Sequence, residues 1–239
     1  MNIKILNILK LTIALLVFST SCDKDSICAI GNRKVEKKEL FLDEIKSIKL
    51  KGSGNLYISY GEVQKIEVET NKDLFDRINQ DVHNGHWDAT FKGCVQKFGR
   101  LNFYVTLPKI EKVKLEGSGQ IAGNDFFSAE NLEIELDGSG KINFKANAQN
   151  LKSKVIGSGD IVLEGSSPNH AIDIEGSGAV RSYNLITQAT QVDINGSGDA
   201  LVFVEKELKV KITGSGKVTY KGSPAKETQI SGSGSVKQY

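Results

Sequence analysis

Residues 151–165 read LKSKVIGSGDIVLEG, and this stretch contains the pattern that decides the fold. At its centre, Gly157-Ser158-Gly159 is flanked on both sides by alternating apolar and polar residues. Val155 lies two positions before the first glycine, and Ile161 and Leu163 lie two and four positions after the last. Alternation with a period of two, rich in β-branched residues, predicts a β-strand on each side of the tripeptide.

The Gly-Ser-Gly tripeptide occurs eight times in the 239 residues, and after the second copy its spacing is nearly constant. Successive copies are 65 residues apart and then 21, 19, 19, 20, 18 and 18 residues apart. Their first glycines are Gly52, Gly117, Gly138, Gly157, Gly176, Gly196, Gly214 and Gly232. A constant period of this length indicates a stacked repeat architecture.

Each repeat is predicted to form one coil, made of a strand, a Gly-Ser-Gly corner, a second strand and a short loop. One coil cannot bury its own apolar residues, so coils must stack, with parallel strands ~4.8 Å apart. The glycines suit a corner with positive φ, and the serine hydroxyls are expected to form a hydrogen-bonded ladder along the axis. Because parallel crossovers are right-handed in most folds, the predicted fold is an all-β, single-stranded right-handed parallel β-helix.

A calcium-loaded nonapeptide roll is the alternative, because its period doubles to 18 residues. That motif requires Gly-Gly-x-Gly-x-Asp in each turn. Here an aspartate follows the tripeptide directly at Asp160 and Asp199, but Lys141 and Lys217 stand at the same position in other repeats. A lysine in place of a calcium ligand argues against the roll.

The repeat resembles the head GIN domain family, which is known as putative auto-transporter adhesins. The segment from Leu151 to Gly165 and the later Tyr220-Lys221-Gly222-Ser223-Pro224 carry the resemblance, which extends over roughly Ile45 to Val236. It implies a secreted or lipid-anchored β-helix with an adhesin role and supplies no catalytic or binding residues. The expected organisation is a signal peptide at 1–21, a tether and N-terminal segment at 22–44, and a head GIN-like β-helix at 45–239.

The N-terminus has the layout of a bacterial lipoprotein leader. Two lysines precede the short apolar run Leu11 to Phe18, and small residues then lead into Cys22. This layout predicts cleavage before Cys22 and its lipidation, although Ser19 stands where the usual lipobox has leucine. The protein is therefore expected to be exported and lipid-anchored to the outer membrane or cell surface of a Gram-negative bacterium.

Net charge and cysteine content indicate which classes of partner and which redox compartment to expect. Lys4 and Lys10, both in the leader, account for the net charge of +2, so the mature chain is neutral and has no electrostatic footprint for nucleic acid. Cys28 and Cys94 remain in a compartment that permits oxidation, and they either form a disulfide or stay as two free thiols. No cofactor is expected.

Residues 61–110 interrupt the repeat, and we interpret them as an inserted excursion that caps the N-terminal end. The pattern predicts a strand at 63–69, a short helix at 73–80, a turn at Asn84-Gly85, and strands at 87–91 and 101–107. After the last tripeptide no amphipathic cap follows, so polar residues blunt the final coil or a partner, including a second copy, covers it.

Few residues are candidates for catalysis or metal binding. Asp173 and Asp193 are predicted to be neighbours on adjacent coils, as in a retaining carboxylate pair or a cation site, although flanking lysines fit a surface charge ladder better. His83, His86 and Cys94 match no closed zinc site, so no metal is expected. His170 follows Pro168-Asn169 and is expected to be exposed.

The leading hypothesis is therefore a non-enzymatic envelope lipoprotein that serves as an adhesin or interaction scaffold for a glycan or protein. The alternative is a carbohydrate-active β-helix enzyme that uses Asp173 and Asp193, because extracellular right-handed β-helices include polysaccharide lyases and hydrolases.

Overall fold

The computed structural model describes residues 28–239, which form a parallel β-solenoid of about seven turns. This confirms the predicted fold class. The strands are β1 Ala29–Ile30, β2 Val35–Leu40, β3 Ser47–Gly52, β4 Asn55–Tyr60, β5 Lys65–Asn71, β6 Val82–His83, β7 His86–Ala89, β8 Val95–Lys97, β9 Leu101–Leu107, β10 Lys112–Gly117, β11 Gln120–Gly138, β12 Lys141–Gly157, β13 Asp160–Gly176, β14 Ala179–Gly196, β15 Asp199–Gly214, β16 Lys217–Lys221, β17 Ala225–Gly232 and β18 Ser235–Gln238. A 3-10 helix spans Lys72–Arg77. Within residues 28–239 no helix has the length and hydrophobicity that crossing a membrane requires.

The strands stack in register, so equivalent residues of successive coils form columns along the axis. β3, β10, β11, β12, β13, β14, β15 and β17 pair in parallel, and the first glycine of each tripeptide pairs with the first glycine of the next. In one such column Val155, Ile174, Ile194 and Ile212 have exposed fractions of 0%, 0%, 2% and 1%. Aliphatic columns of this kind form the core, as the alternation predicted.

The expected short loop that closes each coil is not present in the five long coils. β11 to β15 each run without interruption from one tripeptide to the next, over 16 to 19 residues. The chain turns instead at register shifts, for example between Val162 and Glu164, and at Gly165, which has φ +128°. Continuous pairing satisfies the main-chain hydrogen bonds that a loop would leave open.

The tripeptide corner requires both of its glycines. Gly157 has φ +109°, and a Cβ there would lie 2.6 Å from the carbonyl oxygen of Gly138 on the preceding coil. A Cβ on Gly159 would lie 2.5 Å from Cδ2 of Leu136. The amides of Ser158 and Gly159 both donate to the Gly138 carbonyl at 3.0 Å. The axial ladder is therefore formed by the main chain rather than by the predicted serine hydroxyls, and the Ser158 side chain is exposed.

Residues 61–110 lie against the first coil. β7 pairs in parallel with β3, β9 pairs in parallel with β4, and β5 lies antiparallel between β9 and β2. Buried Trp87 packs edge-to-face against Phe103 at 5.4 Å, and its Nε1 donates to the carbonyl of Asn79. The outermost strand, β2, carries the exposed charged run Glu36 to Glu39, which disfavours pairing with another chain.

The helix and strand bounds of this segment differ slightly from the expectation. The helix is a 3-10 helix at Lys72–Arg77, and β7 ends at Ala89 rather than at residue 91.

At the opposite end of the stack, all eight residues of β17 are exposed, and its central residues are polar.

Candidate functional site

A groove with a volume of about 1010 Å³ lies on the side of the solenoid. It runs along the axis, because its lining comes from equivalent positions of β11, β12, β13, β14 and β15. Two outward columns line it: the rim column Asn131, Asn150, Asn169, Ala189 and Glu207, and the wall column Glu133, Lys152, Ala171, Gln191 and Lys209.

Three asparagines of the rim column form a ladder of side-chain amides. Nδ2 of Asn150 donates to Oδ1 of Asn131 at 3.0 Å, and Nδ2 of Asn169 donates to Oδ1 of Asn150 at 3.0 Å. Each amide carries two N–H donors and two acceptor lone pairs. The central Asn150 therefore keeps one donor and one acceptor that the ladder does not use.

The residues between the two columns also line the groove, and their side chains are buried: Leu132, Leu151, His170 and Thr190. His170 is 2% exposed, so the expectation of an exposed histidine is wrong. The physical reason is register, since His170 pairs with Leu151 on one side and Thr190 on the other. Its position six residues before Gly176 matches that of Leu132 before Gly138, which is the signal that could have shown its burial.

His170 is held in the neutral form. Burial lowers its pKa from 6.5 to about 3. Its Nε2 lies 2.9 Å from Oγ of Ser153, another buried polar residue in the core. Its Nδ1 is buried and has no hydrogen-bond partner among residues 28–239.

Charged side chains around the groove are paired with one another. Nζ of Lys209 lies 2.9 Å from Glu207, and Nζ of Lys152 lies 3.8 Å from Glu133. On the face beside the groove, Glu135 accepts from Lys114 at 2.7 Å. Burial opposes the ionisation of Glu135, but the hydrogen bonds from Lys114 and Lys112 outweigh it and lower its pKa. Together these pairs make the surface a ladder of opposite charges.

Asp173 and Asp193 occupy paired positions of β13 and β14. Asp193 accepts a hydrogen bond from Gln191 at 2.8 Å, and Lys154 binds Glu175 at 2.8 Å. Asp193 borders a depression of about 180 Å³, whereas Asp173 lines neither this depression nor the groove. The structure thus brings the two carboxylates to paired positions on neighbouring strands, and neither the groove nor the depression lies between them.

The three residues considered for zinc do not form a site. Cys94 is joined to Cys28 in a disulfide, so its sulfur is not a thiolate ligand. His86 bonds Ser47 Oγ at 2.9 Å through Nδ1 and Asp88 Oδ1 at 3.0 Å through Nε2. Among residues 28–239 no cluster of three or more metal-binding side chains is present.

The disulfide connects the segment before β1 to the segment before β8, and β1 and β8 pair in parallel beside it. The N-terminal segment is therefore covalently attached to the residues at the end of the stack. Cys22 and the leader lie outside the described residues.

The sequence patterns did not predict two groups of residues. The asparagines of the groove each lie seven residues before the first glycine of three successive repeats. This shared offset predicts that they form one column. Tyr183 and Tyr239 lie 5.5 Å apart, with Nζ of Lys221 4.7 Å and 4.8 Å from their rings. These contacts join residues that are distant in the sequence, so no local sequence pattern predicts them.

Known structures have the same fold. A putative adhesin from Bacteroides fragilis is 22% identical, with a TM-score of 0.82 over 87% of this chain and 99% of that one. A putative adhesin from Parabacteroides distasonis is 19% identical, with a TM-score of 0.75 over 89% and 100%. A putative lipid binding protein from Parabacteroides distasonis is 21% identical, with a TM-score of 0.76 over 89% and 100%.

No curated protein matches the sequence significantly. The family model for the putative auto-transporter adhesin, head GIN domain, matches residues 44–224. This match covers most of the chain and includes the tripeptides from Gly52 to Gly214. The protein therefore belongs to the head GIN domain family.

Proposed function

We propose that the protein is exported, is anchored to the outer membrane through a lipid on Cys22, and binds a ligand at the cell surface without catalysing a reaction. The observation that carries this proposal is the disulfide between Cys28 and Cys94. Disulfides persist in oxidising compartments, and Cys28 follows the candidate lipidation site by six residues. The family, described as putative auto-transporter adhesins, supports the binding role.

The same geometry suggests how the ligand-binding surface is presented. The anchor would precede the N-terminal end of the stack, to which the disulfide ties the chain. The later coils would then project away from the membrane, and the groove would face the surroundings along the side of the solenoid. Such a rigid scaffold suits binding, because its side chains are held in fixed columns.

Export and anchoring can be tested in a Gram-negative host. Incorporation of an alkyne-labelled palmitate is expected in the wild type and is expected to be lost in Cys22→Ala. Protease added to intact cells should cleave the anchored protein, and non-reducing electrophoresis should show the Cys28–Cys94 bond. A labelled Cys22→Ala variant, or a wild type that remains unlabelled, would contradict the anchoring proposal.

The binding role needs its own test. Cells that display the protein should adhere to at least one surface of a glycan and extracellular-protein array, and cells without it should not. Incubation of soluble glycans with the protein should leave their length unchanged. Glycan cleavage that disappears in Asp193→Asn would instead show that the protein is a carbohydrate-active enzyme.

A further inference from the structure

We propose that the groove is the ligand site and that it binds an uncharged, hydroxyl-rich chain, namely a neutral polysaccharide, laid parallel to the solenoid axis. This inference rests on the proposed binding function and adds the site and the class of ligand. It follows from the shape, hydrogen-bonding capacity, charge and main-chain pairing of the groove.

The shape favours an extended polymer. The rim and wall columns include residues from five successive coils, β11 to β15, so at ~4.8 Å per coil they extend over about 19 Å. One coil spacing is close to the length of one sugar unit in an extended glycan. Successive units can therefore meet equivalent side chains on successive coils, and several weak contacts add along one chain.

The hydrogen-bonding groups favour hydroxyls. Asn150 keeps one N–H donor and one acceptor after its two ladder bonds, and Asn131 and Asn169 end the ladder with further unused capacity. A hydroxyl group donates and accepts at the same time, so it matches this pair of unused amide groups. A carboxylate or phosphate only accepts and would leave the unused lone pair of the amide oxygen without a donor.

The lining also offers small apolar surface. Ala129, Ala171 and Ala189 line the groove, and each is at least partly exposed. Sugar rings have C–H faces that pack against methyl groups while their hydroxyl edges reach the amides. The mixture of alanine and asparagine in one groove thus matches the two kinds of surface on a sugar.

The charge of the lining favours a neutral chain. The lining contains three lysines and four glutamates. In the ion pairs Lys209–Glu207 and Lys152–Glu133, the positive charge of the lysine neutralises the negative charge of the glutamate. An acidic polysaccharide would find no excess of positive charge, and its binding would leave glutamates opposite its own carboxylates.

Main-chain pairing argues against an extended peptide as the ligand. A peptide in extended form gains affinity by adding a strand to a free sheet edge. Along the groove, β12, β13 and β14 are each paired with strands on both sides. Their main-chain groups are already used, so the groove offers side chains rather than an edge.

The test uses the full exported protein in detergent and measures binding by biolayer interferometry. The probes are neutral dextran, mannan and galactan, acidic hyaluronate and polygalacturonate, and an uncharged extended peptide. We expect binding to at least one neutral polysaccharide, with less than a twofold change in Kd between 50 and 500 mM salt, because no net charge is neutralised.

Three variants locate the site. Ala171→Trp fills the groove and leaves the amide ladder intact, whereas Asn150→Trp fills it and removes the ladder's centre. The matched control is Asn143→Trp, an exposed asparagine of the same strand that does not line the groove. Both groove variants should weaken binding at least tenfold, the control should change it less than twofold, and all three should unfold cooperatively like the wild type.

Each other outcome is decisive. Neutral polysaccharide binding that survives Ala171→Trp and Asn150→Trp overturns the groove as the site, while the proposed binding function stands. Binding restricted to acidic chains with steep salt dependence, or to the peptide, overturns the ligand class. If no probe binds, the inference is wrong, and the cell-adhesion array then decides the proposed function separately.

Discussion

Nε2 of His170 lies 2.9 Å from Oγ of Ser153 inside the aliphatic core of the solenoid, while Nδ1 of the same ring is buried without a partner among the described residues. A buried, unpaired ring nitrogen makes the protonated form costly, because the charge would be placed in an apolar surrounding. This side chain should therefore contribute to the pH dependence of the protein's stability.

Acid should destabilise the protein through His170. Its pKa is about 3 in the folded protein, against 6.5 when unfolded, so the unfolded chain binds the extra proton as pH falls below 6.5. The contribution of this group to stability is complete above pH 6.5 and is lost progressively down to about pH 3. Linkage predicts that this group removes about 2 kcal/mol of unfolding free energy between pH 7 and pH 5.

Chemical denaturation at both pH values compares the wild type with His170→Leu, which matches the neighbouring Leu151. The variant should lose less stability than the wild type on acidification, by about the same 2 kcal/mol. The exposed His83→Leu serves as the control and should keep the wild-type pH dependence. Equal acid sensitivity of His170→Leu and wild type would show that His170 is not buried in this way.

The tripeptide corner should depend on its first glycine and tolerate changes of its serine. Gly157→Ala places a Cβ at positive φ and 2.6 Å from the Gly138 carbonyl oxygen. We expect a loss of at least about 2 kcal/mol, since backbone strain alone costs about 1–3 kcal/mol. Ser158→Ala should change stability by less than about 0.5 kcal/mol, because its exposed hydroxyl does not form the axial ladder. A larger loss in Ser158→Ala than in Gly157→Ala would refute the main-chain ladder.

Position within the stack should set the cost of truncating an aliphatic residue. Ile212 and Ile230 are partners in one column, but they are 1% and 40% exposed. Ile212→Ala should cost about 2–5 kcal/mol in urea unfolding, as expected for a fully buried isoleucine. Ile230→Ala should cost less than half as much. Equal costs would mean that β17 is covered in solution, for example by a second copy of the chain.

The repeat itself could be predicted from sequence because every coil carries the same signals. Period-two alternation places Ile174 and Ile194 inside, and a glycine pair at fixed spacing marks each corner. The missed features do not follow from the repeat. Because Pro168 and Asn169 are typical loop residues, they suggested that His170 is exposed. Its offset from the next tripeptide, however, places it in the buried column.

Other differences come from three-dimensional pairing. The repeat pattern predicted a short loop in each coil, yet polar residues such as Asn147 and Ser166 pair across β12 and β13 and continue the strand. The groove likewise is formed by residues that pairing brings together from five successive coils, which local patterns do not reveal. Only the shared offset of Asn131, Asn150 and Asn169 was available in advance.

The central claim is that successive Gly-Ser-Gly corners lie directly above one another, and paired cysteines at the exposed serines test it most directly. Ser158 and Ser177 lie beside paired glycines, so their Cα atoms should be about one coil apart, ~4.8 Å, within disulfide range. Ser158 and Ser197 are two coils apart, about 9.6 Å, and are too distant to bond. After mild oxidation, mass spectrometry of tryptic peptides should show the 158–177 disulfide in Ser158→Cys/Ser177→Cys and no 158–197 disulfide in Ser158→Cys/Ser197→Cys. Cross-linking of 158–197, or failure of 158–177 in a folded protein, would contradict the stacked solenoid.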